Sequence, residues 1–149
     1  ARELTAQEAN RVREASDIAQ ATEFVSKMPK GFQSPIAQGG TNVSGGQKQR
    51  LSIARAVYRD PEILIFDDSF SALDFKTDRE VRDALKETAK DATKLIVAQR
   101  VGTVMDADCI LVLEDGKVVG QGTHRELLET CEVYQEIAKS QLSEEELSA

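Results

Sequence analysis

The sequence predicts an α/β layer fold with a mainly parallel sheet and a helical subdomain in front of it. Three observations carry this reading. From residue 62 onward, short apolar runs alternate with segments of helical period, the pattern of strands joined by crossover helices. The runs Glu62-Ile63-Leu64-Ile65-Phe66 and Lys94-Leu95-Ile96-Val97-Ala98 lack polar alternation, as in strands covered on both faces. Residues 1–60 contain no such run.

Each element has its own signal. Thr5 and Glu8 stand at capping-box spacing before Ala9, Val12, Ala15, Ile18 and Ala19, which recur with helical period. A short turn with Phe24 and Val25 follows and stops at Met28-Pro29-Lys30-Gly31. Residues 31–43 form a loop. Ser44 and Gln47 repeat the capping box and open a helix striped by Leu51, Ile53, Ala54 and Val57, which Asp60-Pro61 ends. After the first strand, Thr77 and Glu80 are expected to open a helix bearing Val81, Ala84 and Leu85. The strand at 94–98 is followed by a third parallel strand, Cys109–Leu113, and Asp115-Gly116 turns it into a hairpin with Lys117–Val119. Thr123 and Glu126 cap one last helix with Leu127, Leu128, Val133, Tyr134 and Ile137. Three parallel strands and one hairpin make a thin sheet, so further strands are expected before Ala1.

Composition removes several classes of function. The 149 residues are 40% hydrophobic and 30% charged, enough for a folded core. No apolar run approaches the ~20 residues of a membrane span, and no leader h-region opens the chain. The net charge is −7, with nine basic and six acidic side chains in residues 1–60 and ten and twenty in residues 61–149. An acidic chain without an aromatic-studded basic face is a poor nucleic-acid binder. Glu144-Glu145-Glu146 reads as a frayed, solvated tail. Cys109, Cys131 and the sole histidine, His124, have no metal-ligand or triad spacing, so a disulfide framework, structural zinc and nucleophilic catalysis are not expected, and a reducing cytosol fits. His124 reads as a helix-start residue.

Two segments carry chemistry. Asn42-Val43-Ser44-Gly45-Gly46-Gln47 places bare glycine backbone at a helix N-terminus. Unpaired N–H groups, the positive dipole end and the Ser44 hydroxyl suit an anion there, although capping alone also explains the pattern. Ile63–Phe66 ends in Asp67-Asp68, and ligands gather at the carboxyl ends of parallel strands. An Asp there can hold Mg²⁺ beside a nucleotide phosphate, whereas the plainer reading is two exposed aspartates starting a turn. Ser71-Ala72-Leu73-Asp74 follows.

Together these segments resemble the ATP-binding cassette (ABC) family, along nearly the whole chain. Asn42–Gln47, continuing Lys48-Gln49-Arg50-Leu51-Ser52-Ile53-Ala54-Arg55-Ala56, is similar to its signature motif. Ile63–Asp67 is similar to Walker B, Ser71–Asp74 to the D-loop, and Thr93–Arg100 to the switch region. Leu113–Val119 with Gly122-Thr123-His124 resembles the following segment of exporter-type members, and Gly31–Gly40 falls where exporters meet their coupling helices. The resemblance implies an incomplete P-loop NTPase-like (RecA-like) core, with residues 1–60 as the helical signature subdomain and 61–149 as the C-terminal half of the ATPase core. It implies ATP and Mg²⁺ as ligands, with Ser44, Gly45, Gly46, Gln47, Ser71 and Asp74 toward nucleotide, Asp67 toward metal, and Asp68 and Gln99 as catalytic positions. It implies transmembrane domains, a second nucleotide-binding domain, and a place at the cytoplasmic inner face of the cell membrane.

Three departures shape this expectation. No G-x-x-x-x-G-K-[ST] loop occurs, so ATP hydrolysis by this stretch alone is not expected. Asp68 stands where most relatives have a catalytic Glu, and a misplacement of about 1 Å can cost on the order of 100-fold in rate. Gln99 stands where the switch His is usual, and Gln carries neither a proton nor positive charge. With the signature intact, the combination resembles the degenerate-site half of a heterodimeric exporter. A non-catalytic dimerising or regulatory module, or the ATPase part of a non-transport cassette protein, are the alternatives.

Overall fold

The computed structural model describes residues 3–143. The acidic tail at 144–146 lies outside the described residues. The chain divides into two compact units, residues 1–97 and 98–149.

In the first unit, α1 (Ala6–Ile18) begins at the Thr5–Glu8 capping box and ends in a Schellman turn, with Ala21 N–H on Ser16 O (2.7 Å) and Gln20 N–H on Asp17 O (3.0 Å). Gln20 takes the left-handed position of that turn, φ 54°. A short α2 (Thr22–Ser26) follows, then two 3₁₀ turns, Gly31–Gln33 and Gln38–Gly40. Asn42 closes this loop, accepting from Ala37 N–H (2.9 Å) and donating to Pro35 O (3.0 Å). The expected capping box of Ser44 and Gln47 opens α3 (Gly45–Val57). Strand β1 (Ile63–Asp67) pairs in parallel with β2 (Thr93–Val97), Asp67 opposite Val97.

Between them runs α4 (Phe75–Thr88), whose N-cap is Asp74. Thr77 was expected to open this helix, but the Asp74 carboxylate reaches the Thr77 N–H (2.9 Å) and hydroxyl (2.8 Å), so the helix starts earlier. On its inner face Val81 and Leu85 pack, and the buried Asp78 pairs with Arg82 Nε at 2.6 Å, which offsets the cost of burying a charge. Leu64 and Phe66 of β1 join Ile53, Phe70, Leu73, Val81 and Leu85 in one core, with Phe66 and Phe70 rings 5.3 Å apart.

The sequence pattern implied strands covered on both faces. The structure corrects this: burial alternates along β1, leaving Ile63 and Ile65 62% and 64% exposed. Within this unit β1 buries only the face that carries Leu64 and Phe66.

The second unit holds α5 (Val101–Val104), β3 (Ile110–Glu114), β4 (Lys117–Gly122), α6 (His124–Thr130) and α7 (Glu132–Gln141). The hairpin forms where expected. Asp115 (φ 48°) and Gly116 (φ 74°) both take left-handed values, as a two-residue type I′ turn requires. However, β3, expected as a third parallel strand, pairs antiparallel with β4, its one hydrogen-bonded partner strand among the described residues. The single last helix is also two: Cys131 adopts an extended ψ of 104° and breaks it. Val101, Ile110, Val112, Leu127, Cys131, Tyr134 and Ala138 make this unit's core. No described helix is long and apolar enough to cross a membrane.

Candidate functional site

The site is built around the N-terminus of α3. Ser44 Oγ accepts from Gln47 N–H (3.2 Å), and Gln47 Oε1 accepts from Ser44 N–H (2.9 Å). This box orders the first turn and occupies the Gln47 amide oxygen. Ser44, Gly45 and Gly46 line an open cavity of about 410 Å³ together with Arg50, Ala72, Leu73, Asp74 and Thr77. Gly46 is required by close approach: a Cβ there would lie 2.8 Å from Ala72 O. The dipole of a 13-residue helix and free N–H groups thus open onto a space of nucleotide-phosphate scale. Arg50 lies behind, donating through an Nη to Gln20 O (2.7 Å) with its guanidinium 4.8 Å from the Phe24 ring centre.

Asp67 ends β1, exposed, and among the described residues no hydrogen bond engages its carboxylate. Such a donor suits Mg²⁺, which takes one or two carboxylates and keeps waters and phosphate oxygens for its other positions. Asp68 turns the chain, with a left-handed φ of 49°, and its N–H donates to Val97 O (3.0 Å). The Ser71 hydroxyl lies 3.0 Å from Asp68 Oδ2 and 3.1 Å from Asp68 O. Asp74 spends both oxygens on Thr77, and these two bonds, the backbone one first, hold its carboxyl below the usual range.

The structure therefore brings Ser44, Gly45, Gly46 and Asp74 to one cavity, with Ser71 and Asp68 in the turn beside it. Gln99 falls in the second unit, where its carbonyl accepts from Gln141 Nε2 (2.9 Å). His124 starts α6 as expected, its Nδ1 2.7 Å from the buried Tyr134 hydroxyl. Gln49 was not singled out among the site residues. Its side chain holds Asp68 O (3.0 Å), Ser71 Oγ (3.0 Å) and Ala72 N–H (2.9 Å). The available signal was its position three residues after Gly46, on the same helix face.

The chain is similar to known proteins along most of its length. A family profile described as ABC transporter matches residues 1–71. An uncharacterised ABC transporter ATP-binding protein of Mycobacterium tuberculosis is 50% identical over 128 residues, 86% of this chain and 22% of that protein. The chain belongs to the ABC transporter family. A Vibrio vulnificus protein named ATP-dependent lipid A-core flippase is 42% identical over 133 residues, 89% of the cassette chain and 23% of the flippase. The solved structure of a bacterial Atm1-family ABC exporter with ATP bound superposes with a TM-score of 0.87 at 34% identity, covering 91% of this chain and 24% of that one. The fold of the cassette is P-loop NTPase-like, and the chain spans about a quarter or less of the length of these relatives.

Proposed function

We propose that this chain is part of the ATP-binding and hydrolysing portion of an ABC exporter, with residues 1–60 as its signature subdomain and 61–149 as the C-terminal half of its ATPase core. The observation that carries this is the bare α3 N-terminus opening, through Ser44, Gly45 and Gly46, onto the cavity beside Asp74. In this reading the signature grips the γ-phosphate of an ATP held by a second, non-identical nucleotide-binding domain. Ser44 contributes its hydroxyl, the two glycines their N–H groups, and Ser71 and Asp74 belong to the adjoining loop. Transmembrane domains meet the cassette through coupling helices, which places it at the cytoplasmic face of a membrane.

The chain's own Walker B position, with Asp67 and Asp68, and its switch position, Gln99, are degenerate in this reading, so that ATP is bound and hydrolysed poorly. Asp67 would hold Mg²⁺, which when bound neutralises charge building on the phosphates. Asp68 is shorter than the usual Glu and is tied to Ser71, and Gln99 can donate a hydrogen bond but no proton. The test is ATP hydrolysis coupled to transport in the full-length protein with its partner. Substituting Ser44 or Gly45, as in Gly45→Asp, abolishes it. Asp68→Asn does little, since Asn tolerates the left-handed backbone and still accepts from Ser71. If Asp68→Asn stops turnover, the degenerate-site reading is wrong.

A further inference from the structure

We propose that Gln49 is a positioning residue that locks the signature turn to the end of β1, so that the two half-sites carried by this chain move as one body. The inference rests on the proposed reading of Ser44–Gly46 and of Asp67-Asp68. It starts from one amide group making three hydrogen bonds across 19 to 23 residues of sequence. Nε2 donates to Asp68 O and Ser71 Oγ, both at 3.0 Å, and Oε1 accepts from Ala72 N–H at 2.9 Å. Only one orientation of the amide satisfies these partners, because Asp68 O can only accept and Ala72 N–H can only donate. The contact is therefore orientation-specific.

Its two ends are the functional ones. Gly46, one helical step before Gln49, abuts Ala72 O so closely that no Cβ fits. At the far end, the Asp68 carbonyl belongs to a residue in the left-handed region, whose N–H is itself pinned to Val97 O at the end of β2. A left-handed non-glycine backbone persists where its surroundings hold it. The amide of Gln49 and the carbonyl of Val97 hold it from opposite sides. Displacement at the Asp68 turn is thus transmitted through Asp68 O and Ala72 N–H to the α3 tip, whose signature turn completes the partner's competent site in this reading. Gln49 touches no nucleotide in this scheme. It sets the position of groups that do, and its loss lowers turnover without weakening ATP binding.

The experiment is steady-state ATP hydrolysis by the full-length protein with its partner, comparing wild type, Gln49→Leu, Gln49→Glu and Gly45→Asp. Gln49→Leu keeps the side chain's bulk and removes all three bonds. Gln49→Glu keeps an acceptor for Ala72 N–H but sets a carboxylate oxygen against Asp68 O. Both should lower kcat about tenfold or more, with KM for ATP unchanged within about twofold, the pattern of groups held off their productive geometry. If Gln49→Leu does not yield folded protein, Gln49→Glu decides. An unchanged kcat beside an inactive Gly45→Asp overturns the positioning role alone, as does a raised KM at unchanged kcat. Undiminished hydrolysis in Gly45→Asp instead refutes the signature reading, and the positioning role falls with it.

Discussion

Replacing Gly46 with alanine puts a Cβ 2.8 Å from the Ala72 carbonyl oxygen and 3.6 Å from Leu73 Cδ2. The oxygen is backbone, so no side-chain rotation relieves the overlap. Restoring ordinary contact at 3.4 Å moves α3 and the 71–73 turn apart by about 0.6 Å. That displacement stretches the 2.9 Å bond from Ala72 N–H to Gln49 Oε1 to the edge of hydrogen-bonding distance. Overpacking of this kind costs ~1–3 kcal/mol, and the weakened bond adds up to about 1 kcal/mol. Against this, exchanging glycine for alanine within a helix returns at most ~1 kcal/mol. The net effect is a destabilisation of about 1–3 kcal/mol. Gly45→Ala is the control, because its Cβ would meet only Ala72 Cβ at 3.5 Å, an ordinary contact, and its stability should match or slightly exceed wild type. Urea unfolding followed by circular dichroism measures both, read as a lower midpoint at unchanged slope for Gly46→Ala. A Gly46→Ala midpoint equal to or above that of Gly45→Ala would refute the close-approach argument.

Two further outcomes follow from local geometry. Gln20→Gly should stabilise the fold by roughly 0.5–1 kcal/mol, since Gln20 occupies the left-handed position of a complete Schellman turn and offers only its carbonyl to Arg50, which glycine retains; a lower unfolding midpoint would count against this. The carboxyls of Asp74 and Glu126 are both held below their usual range by capping bonds from Thr77 and Thr123. Their folded-state pKa values lie under the unfolded ones, so this stabilisation is complete above the ordinary values of 3.8 and 4.5 and is lost as the pH falls below them. Asp74→Asn should flatten that acid-side loss in a pH series of unfolding midpoints, and an unchanged slope would contradict the assignment.

Much of the local structure was readable before any coordinates. The capping boxes at Thr5, Ser44 and Thr123, and the Asp115-Gly116 turn, involve groups two or three residues apart, so side-chain chemistry alone specifies them. The bare helix start at Gly45-Gly46 and the carboxylates ending β1 were readable for the same reason. Where two local solutions competed, contacts chose. Asp74 and Thr77 could both cap α4, and the bidentate hold of Asp74 on Thr77 settled it. Cys131 gave no breaker signal, yet its extended backbone divides α6 from α7.

Sequence pattern alone reached the α/β class and the capping-box starts at Thr5, Ser44 and Thr123, because each depends on neighbours along the chain. Which strand face is covered, which partner β3 takes, and that Gln49 binds a turn some twenty residues away belonged to the tertiary structure. Those outcomes depend on which distant backbone groups are left unpaired once the helices have packed, and an apolar run or a polar side chain is equally compatible with several such arrangements until packing selects one.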